Sequence, residues 1–198
     1  MSGYWTVLGT WTSTSGSSLG NGYGVRSGSP GASLLYQEDA PRGDMQIDVV
    51  MSPEKNEGQG FGIPGSPLDG NTQNADIYIK YNPRTQNGYS LRWWRTTQSA
   101  VECMFQLYQH ISGVGSPVRP AQVLTGVFKP NTYMTLSIVG STFKVTAHND
   151  VDADTLSLQG TVAPNLYGGA GMRWSGPNPP RNGNVYSSFR ISYPDGEK

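Results

Sequence analysis

An Arg-Trp-Trp-Arg run at positions 92–95 is the most unusual local combination of side chains in this sequence. Neighbouring side chains on a β-strand point to opposite faces, so only one of the two tryptophans can enter the core. Trp93 alternates with Leu91, which indicates a core position, and Trp94 then shares the outer face with Arg92. A tryptophan beside an arginine offers an apolar platform on which a sugar ring can stack and a fork that can hold a uronic acid. The competing interpretation is a Trp94 that is simply covered by a loop.

Other polar and aromatic side chains alternate onto the same face of the neighbouring predicted strands. Two tyrosines, a histidine and several hydrogen-bonding groups on one sheet are the chemistry expected of a glycan groove. The alternative is an ordinary solvated face, which more often carries Thr, Lys and Glu. The predicted ligand contacts are Tyr78, Lys80, Arg92, Trp94, Gln106, Tyr108 and His110, with Gln46 and Asp48 added if their strand joins the same sheet.

Signals for catalysis or metal binding are weak. Glycoside hydrolysis needs two carboxylates at a defined separation, and Glu102 and Asp48 are isolated in the sequence. Two histidines are too few and too scattered for a zinc site. The glycine and the distal glutamate of a calcium-binding EF-hand loop are also missing. Two acidic stretches remain candidates for a structural Ca²⁺: Asp150, Asp152 and Asp154 in one, and Gln37-Glu38-Asp39 in the other.

The elements that must position these side chains are short strands. The chain has 26 glycines and 14 prolines, and only 14% of its residues are charged, which favours strands joined by turns over a helical bundle. A Gly-Ser pair at 140–141 separates two alternating segments and predicts a tight hairpin. One short helix is expected, within 52–56 or 117–124. The predicted strands are Tyr4–Thr12, Tyr23–Arg26, Ser33–Tyr36, Asp44–Met51, Ala75–Tyr81, Gly88–Arg95, Val101–His110, Tyr133–Val139, Thr142–His148, Thr155–Val162, Ala170–Trp174 and Asn184–Tyr193.

About a dozen strands must close into a sandwich or barrel to protect their edges. No linker divides the sequence, so we expect residues 1–198 to form one all-β domain, a two-sheet antiparallel sandwich. The formal net charge is zero, which argues against nucleic acid as a partner. No apolar run approaches the roughly 18 residues of a membrane span. The chain begins without a recognisable signal peptide.

The order of these segments resembles the concanavalin A-like lectin and glucanase superfamily, which includes laminin G-like domains. The resemblance runs nearly from end to end, but it is one of pattern and includes no catalytic signature. It rests on Trp5, Val7 and Trp11 at the start, on the strand DMQIDVVM, on NGYSLRW, on the hairpin TYMTLSIVGSTFKVTAHN, on YGGAGMRW and on the closing strand VYSSFRISY.

This resemblance implies a jelly-roll sandwich similar to carbohydrate-binding modules, secreted or at the cell surface, with a polysaccharide or oligosaccharide as partner. It implies no certain cofactor and leaves a structural Ca²⁺ open. An enzyme is the alternative, either a polysaccharide lyase or an atypical glycoside hydrolase acting on the same groove. Jelly-roll polysaccharide lyases use Arg, Gln, His and Tyr on one sheet face. In that case Tyr108, His110 and Arg92 would be catalytic. A third alternative is a structural or adhesion domain that binds protein.

Overall fold

The computed structural model describes residues 3–9, 11–15, 23–27, 31–51, 74–95, 103–124, 132–149, 155–175 and 185–194. Within these ranges the regular structure is entirely β, and no helix is long and apolar enough to cross a membrane. The strands form two antiparallel sheets.

The first sheet has eight strands. Its order is β1-β4-β14-β6-β7-β8-β10, and β9 also pairs with β8. Side chains on the central strands β6, β7 and β8 therefore lie next to one another across the sheet. The strands are β1 (Gly3–Leu8), β4 (Ser33–Glu38), β6 (Asn74–Asn82), β7 (Asn87–Arg95), β8 (Cys103–Ile111), β9 (Val114–Pro117), β10 (Gln122–Leu124) and β14 (Ala170–Ser175).

The second sheet has seven strands in the order β13-β12-β11-β5-β15-β3-β2. At its centre, β11 pairs with both β5 and β12 in an unbroken antiparallel register. The strands are β2 (Trp11–Ser15), β3 (Tyr23–Ser27), β5 (Met45–Met51), β11 (Thr132–Val139), β12 (Thr142–Asn149), β13 (Thr155–Thr161) and β15 (Val185–Ser192).

One apolar core lies between the two sheets. The inward residues of each strand recur at every second position, as a pleated strand with one buried face requires. The eight-stranded sheet contributes Ile77, Leu91, Trp93 and Phe105, and the seven-stranded sheet packs Ile47, Val49, Leu136, Phe143 and Val145 against them; all are at most 1% exposed. Trp93 is thus the core member of the tryptophan pair, as its spacing predicts.

The predicted hairpin is confirmed. Strands β11 and β12 pair from Thr132 with Asn149 to Val139 with Thr142, and Gly140 takes a positive φ of 55° in the turn. Glycine adopts this left-handed conformation without the steric penalty of a Cβ.

Two expectations about local structure are wrong. The predicted strand Tyr4–Thr12 is two strands, because the chain leaves one sheet at Gly9, with φ 74°, and β2 joins the other. The expected helix near 117–124 is instead a bend followed by β10, whose Gln122–Leu124 pairs with β8. The other helix candidate, 52–56, lies outside the described residues.

Candidate functional site

A cleft of about 240 Å³ opens on the outer face of the eight-stranded sheet, the face turned away from the core. Its floor is formed by β6, β8 and β14, and its rim includes the turn between β6 and β7. Aromatic, amide, imidazole, hydroxyl and guanidinium groups meet here. The lining residues are Leu8, Ser33, Leu35, Tyr78, Tyr81, Gln86, His110, Gly113 and Arg173.

The floor of the cleft is a packed set of rings. Tyr78 and Tyr81 stack with their ring centroids 4.3 Å apart and an interplanar angle of 25°. The His110 ring meets both edge-on, at 5.2 Å from Tyr78 and 6.0 Å from Tyr81. The three residues are only 4% to 6% exposed. Their orientation is therefore set by packing, and they offer a fixed surface to a ligand.

A β-bulge brings Tyr81 to this floor. Strict alternation predicts Tyr81 in the core and Lys80 beside Tyr78, but the register between β6 and β7 shifts between Ile79 and Asn82. Lys80 adopts a positive φ of 48°, and the alternation slips by one residue. A Cβ on Gly88, opposite the bulge, would lie 2.4 Å from the Lys80 carbonyl oxygen, so only glycine fits there.

The predicted position of Lys80 is accordingly wrong. Its ammonium group donates hydrogen bonds to the backbone carbonyls of Arg42 and Gly43, and the residue is 1% exposed. Lys80 ties the bulge to the segment before β5 and does not line the cleft.

Beneath the rings lies a buried network of charged and polar side chains. The Arg92 guanidinium donates from Nε to Asp76 Oδ1 and from a terminal nitrogen to Asp76 Oδ2, both at 3.0 Å. Ser90 Oγ donates to Asp76 Oδ1 at 2.9 Å and lies 2.8 Å from His110 Nε2. The Ser90 hydroxyl has a single proton and uses it in the hydrogen bond to Asp76. His110 must therefore be the donor, through Nε2, in the hydrogen bond to Ser90. Asp76 and Ser90 are both fully buried.

Burial keeps the His110 ring neutral. Loss of hydration lowers the pKa of His110 from 6.5 to about 4, with smaller contributions in the same direction from the guanidiniums of Arg92 and Arg173; the Asp76 carboxylate opposes them. Burial likewise raises the pKa of the Tyr81 phenol to about 12 and that of Tyr78 further still. All three rings are therefore uncharged near neutral pH, and act as hydrogen-bonding groups and apolar surfaces.

This arrangement differs from a Ser-His-Asp triad. In such a triad the histidine lies between serine and aspartate, whereas here Ser90 lies between Asp76 and His110 and donates its hydroxyl hydrogen bond to Asp76. The fork of Arg92 is occupied by Asp76, and its guanidinium carbon also lies 4.2 Å from the centre of the Tyr108 ring. Of the groups suggested for a lyase, Arg92 is thus paired with Asp76, and His110 is hydrogen-bonded to Ser90.

The remaining predicted contacts lie outside the cleft, most of them on the same outer face of the eight-stranded sheet and two on the other sheet. Trp94 is partly exposed. It follows Trp93 on β7 and pairs with Met104 on β8. Gln106 donates from Nε2 to the Arg119 carbonyl at 2.9 Å, and Tyr108 is 7% exposed beneath Arg92. Gln46 and Asp48 belong to β5 of the other sheet, where Gln46 Nε2 donates to both oxygens of Asp48.

Of the residues that line the cleft, the sequence predicted only Tyr78 and His110. Among those it missed are Tyr81 and Arg173 in the lining, and Asp76 and Ser90 in the buried network. Asp76 shares its period-two face with Tyr78, and its cross-strand neighbours are Arg92 and Arg173. A lone acidic residue inside an otherwise apolar-aromatic strand was the available signal for Asp76. The Tyr81 position had no such signal, because the bulge depends on tertiary register.

One of the two calcium candidates, residues 37–39, lies within the described residues, which contain no group of three or more His, Cys, Asp or Glu placed to hold a metal. In the Gln37–Asp39 stretch, Glu38 binds the Ala40 amide and Arg42, and Asp39 accepts from Gln37. Residues 150–154 lie outside the described residues.

Comparison with solved structures confirms the predicted fold, a two-sheet antiparallel jelly-roll sandwich. The carbohydrate-binding module CBM66 from Bacillus subtilis is 13% identical, with 94% of each chain covered and a TM-score of 0.54. The exoplasmic/lumenal domain of VIP36, in its Ca²⁺/Man2-bound form, is 11% identical over 98% of this chain and 82% of that one, with a TM-score of 0.61. The CBM2 module of the evolved Dit of Lactobacillus casei BL23 phage J-1 is 10% identical over 81% and 69%, with a TM-score of 0.57. A scan against protein-family models and a search of curated proteins find no match.

Proposed function

We propose that this chain binds a glycan, and that the cleft on the outer face of the eight-stranded sheet receives one of its sugar residues. The observation that carries the proposal is the fixed Tyr78–Tyr81–His110 floor, which presents rings and hydrogen-bonding groups together. Sugar recognition needs both, since one face of a sugar ring is lined by C–H groups and its rim by hydroxyls.

The size of the cleft supports a small occupant. Its volume of about 240 Å³ is below the roughly 300–1,000 Å³ of pockets for drug-sized ligands. A single sugar unit, at a chain end or on a branch, fits this limit better than several units side by side. Further units of the glycan would lie along the sheet surface.

The buried network supports recognition by a preformed site. Asp76, Ser90 and Arg92 satisfy one another's hydrogen bonds beneath the floor, so the rings above them need little reordering when a ligand arrives. Preorganisation of this kind reduces the entropy cost of binding. The same saturation leaves Arg92 unavailable for substrate chemistry, and for this reason we propose binding without catalysis.

The fold neighbours support this proposal, since one is described as a carbohydrate-binding module, one as a CBM2 module and one as a Ca²⁺/Man2-bound domain. An extracellular or lumenal setting would follow from the same likeness. We extend the proposal to a secreted or cell-surface carbohydrate-processing system, in which this chain would hold the polysaccharide.

Filling the cleft tests the proposal. A glycan array first identifies a ligand, and calorimetry then compares wild type with Leu35→Trp, which places a large ring in the cleft from β4 without removing a polar group. We expect affinity to fall at least roughly tenfold, equivalent to about 1.4 kcal/mol. The matched control is Ser188→Trp, an exposed position on the outer face of the seven-stranded sheet. Loss of binding in Ser188→Trp with full affinity in Leu35→Trp would overturn the proposed site, as would a folded wild type that binds no glycan.

A further inference from the structure

The described part of the outer face of the eight-stranded sheet carries one cationic charge that no carboxylate balances. Asp76 (−1) and Arg92 (+1) form a two-pronged ion pair that cancels their charges. Arg173 (+1) lies on the neighbouring strand β14, directly across from Asp76, and no ion pair joins it to an acidic residue of the described ranges. The sum over these three groups is +1, and it is located at Arg173.

Arg173 is placed where a ligand can reach it. It lines the cleft and is partly exposed, in contrast to the fully buried Asp76. Its positive charge acts on the Tyr78 phenol and lowers the pKa of that group, although burial outweighs this effect. The guanidinium therefore lies beside the aromatic floor, and it carries five N–H donors.

The other groups in the cleft do not offset this charge. The phenols of Tyr78 and Tyr81 stay protonated, and His110 is neutral, for the reasons of burial given above. Ser33 and Gln86 are uncharged. A cation among neutral groups in a partly desolvated cleft attracts an anion more strongly than the same cation does in open water.

We propose that the cleft selects acidic sugars, with Arg173 holding the anionic group of the sugar while its ring lies on the Tyr78–Tyr81 floor. A carboxylate is the best match, because the planar guanidinium fork pairs with its two oxygens through parallel hydrogen bonds. A sulfated sugar presents the same negative charge in a less planar form. This inference rests on the proposed glycan-binding function and specifies its ligand class.

The test uses uronate and sialylated oligosaccharides, their carboxyl-reduced neutral counterparts, and sulfated oligosaccharides as a separate arm. We expect wild type to bind at least one anionic member roughly tenfold or more tightly than its neutral counterpart, with an affinity that declines as salt rises. Arg173→Gln should abolish this preference and the salt dependence, so that acidic and neutral members bind with similar affinity. Comparison with the sulfated oligosaccharides shows whether the cleft prefers a carboxylate or a sulfate group.

Two controls separate failure of this inference from failure of the proposed function. Arg190→Gln removes an exposed cation from the outer face of the seven-stranded sheet and should leave the preference intact. Equal binding of acidic and neutral sugars, abolished by Leu35→Trp, would overturn the acidic preference but keep the glycan site. A preference that survives Arg173→Gln and is lost in Arg190→Gln would also overturn it. If Leu35→Trp has no effect on any of the sugars, the cleft itself is the wrong site.

Discussion

The outer faces of the two sheets carry similar residue types, but these side chains are buried on one face and exposed on the other. The seven-stranded sheet has its own hollow of about 400 Å³, with Asp48, Tyr133, His148 and Arg190 among its lining residues. There His148 and Arg190 are exposed, and the Tyr133 and His148 rings stack at the surface with centroids 5.1 Å apart. On the eight-stranded sheet the corresponding Asp, Tyr and His are nearly or fully buried.

The difference shows which feature distinguishes a site from a solvated sheet face. Burial of a charge or a polar group costs free energy unless its partners are in place. Asp76 meets that requirement with three hydrogen bonds from Ser90 and Arg92, which fixes the geometry of the rings above it. Residue type alone would have ranked the two faces as equals.

The largest expected effect is on stability. Asp76→Ala leaves Arg92 buried without its counter-charge, and removal of one partner of such a pair typically costs about 3–5 kcal/mol. Asp48→Ala on the other sheet removes a partly exposed carboxylate that accepts from Gln46 and Thr135, and should cost only about 1 kcal/mol. Urea unfolding of both variants measures the two costs. Equal costs would contradict the contrast between the faces.

A second prediction concerns acid. The pKa of His110 is about 4 in the folded protein and 6.5, its ordinary value, in the unfolded chain. Between pH 4 and pH 6.5 the unfolded chain therefore binds more protons than the folded protein. Stability therefore falls as pH is lowered from about 6.5 to about 4, by up to roughly 3 kcal/mol from this residue, and the loss is complete below the lower value. Unfolding free energies at about pH 7 and pH 4 should show wild type losing more than His110→Gln by this amount.

The control for the acid experiment is His148→Gln. Because it keeps His110, it should lose as much stability as wild type over the same range. Carboxylates titrate in all three proteins, so only the difference between them reports on His110. A wild type and a His110→Gln variant with equal losses would show that the buried ring has no energetic role.

The smallest expected effect belongs to Trp94. It lies four residues along β7 from Ser90, on the order of 13 Å away at the rise of a strand. A single sugar in the cleft would not reach it, but an oligosaccharide along the sheet would. Trp94→Ala should weaken binding of an oligosaccharide roughly threefold to tenfold and leave the monosaccharide unaffected. Equal losses for short and long ligands would place Trp94 inside the site.

Much of the fold was predictable because it depends on local alternation. The hairpin of β11 and β12 was predicted within a residue at each end, and Trp93 was assigned to the core correctly. The break at Gly9 was not predicted, because a single glycine in a strand-like segment does not reveal that the chain changes sheets. The strand β10 was missed because three residues carry too little periodicity.

The site was predictable only in part. The face shared by Tyr78, Arg92, Tyr108 and His110 followed from period-two counting. Their partners did not, since the neighbour of each strand is set by sheet order, and β14 enters between β4 and β6 from far along the chain. The bulge at Lys80 also reversed the assignments of Lys80 and Tyr81, which uninterrupted alternation places on the outer face and in the core.

The central claim is that the outer face of the eight-stranded sheet binds the glycan. Titration of the labelled protein with an array-positive oligosaccharide, followed by amide chemical shifts in NMR spectra, tests it most directly. We expect the largest changes in chemical shift at the amides of Leu35, Gln86, Gly113 and Arg173, and no change at those of Thr135 and Ser188. Shifts concentrated at Thr135, His148 and Ser188 would contradict it and assign binding to the opposite sheet.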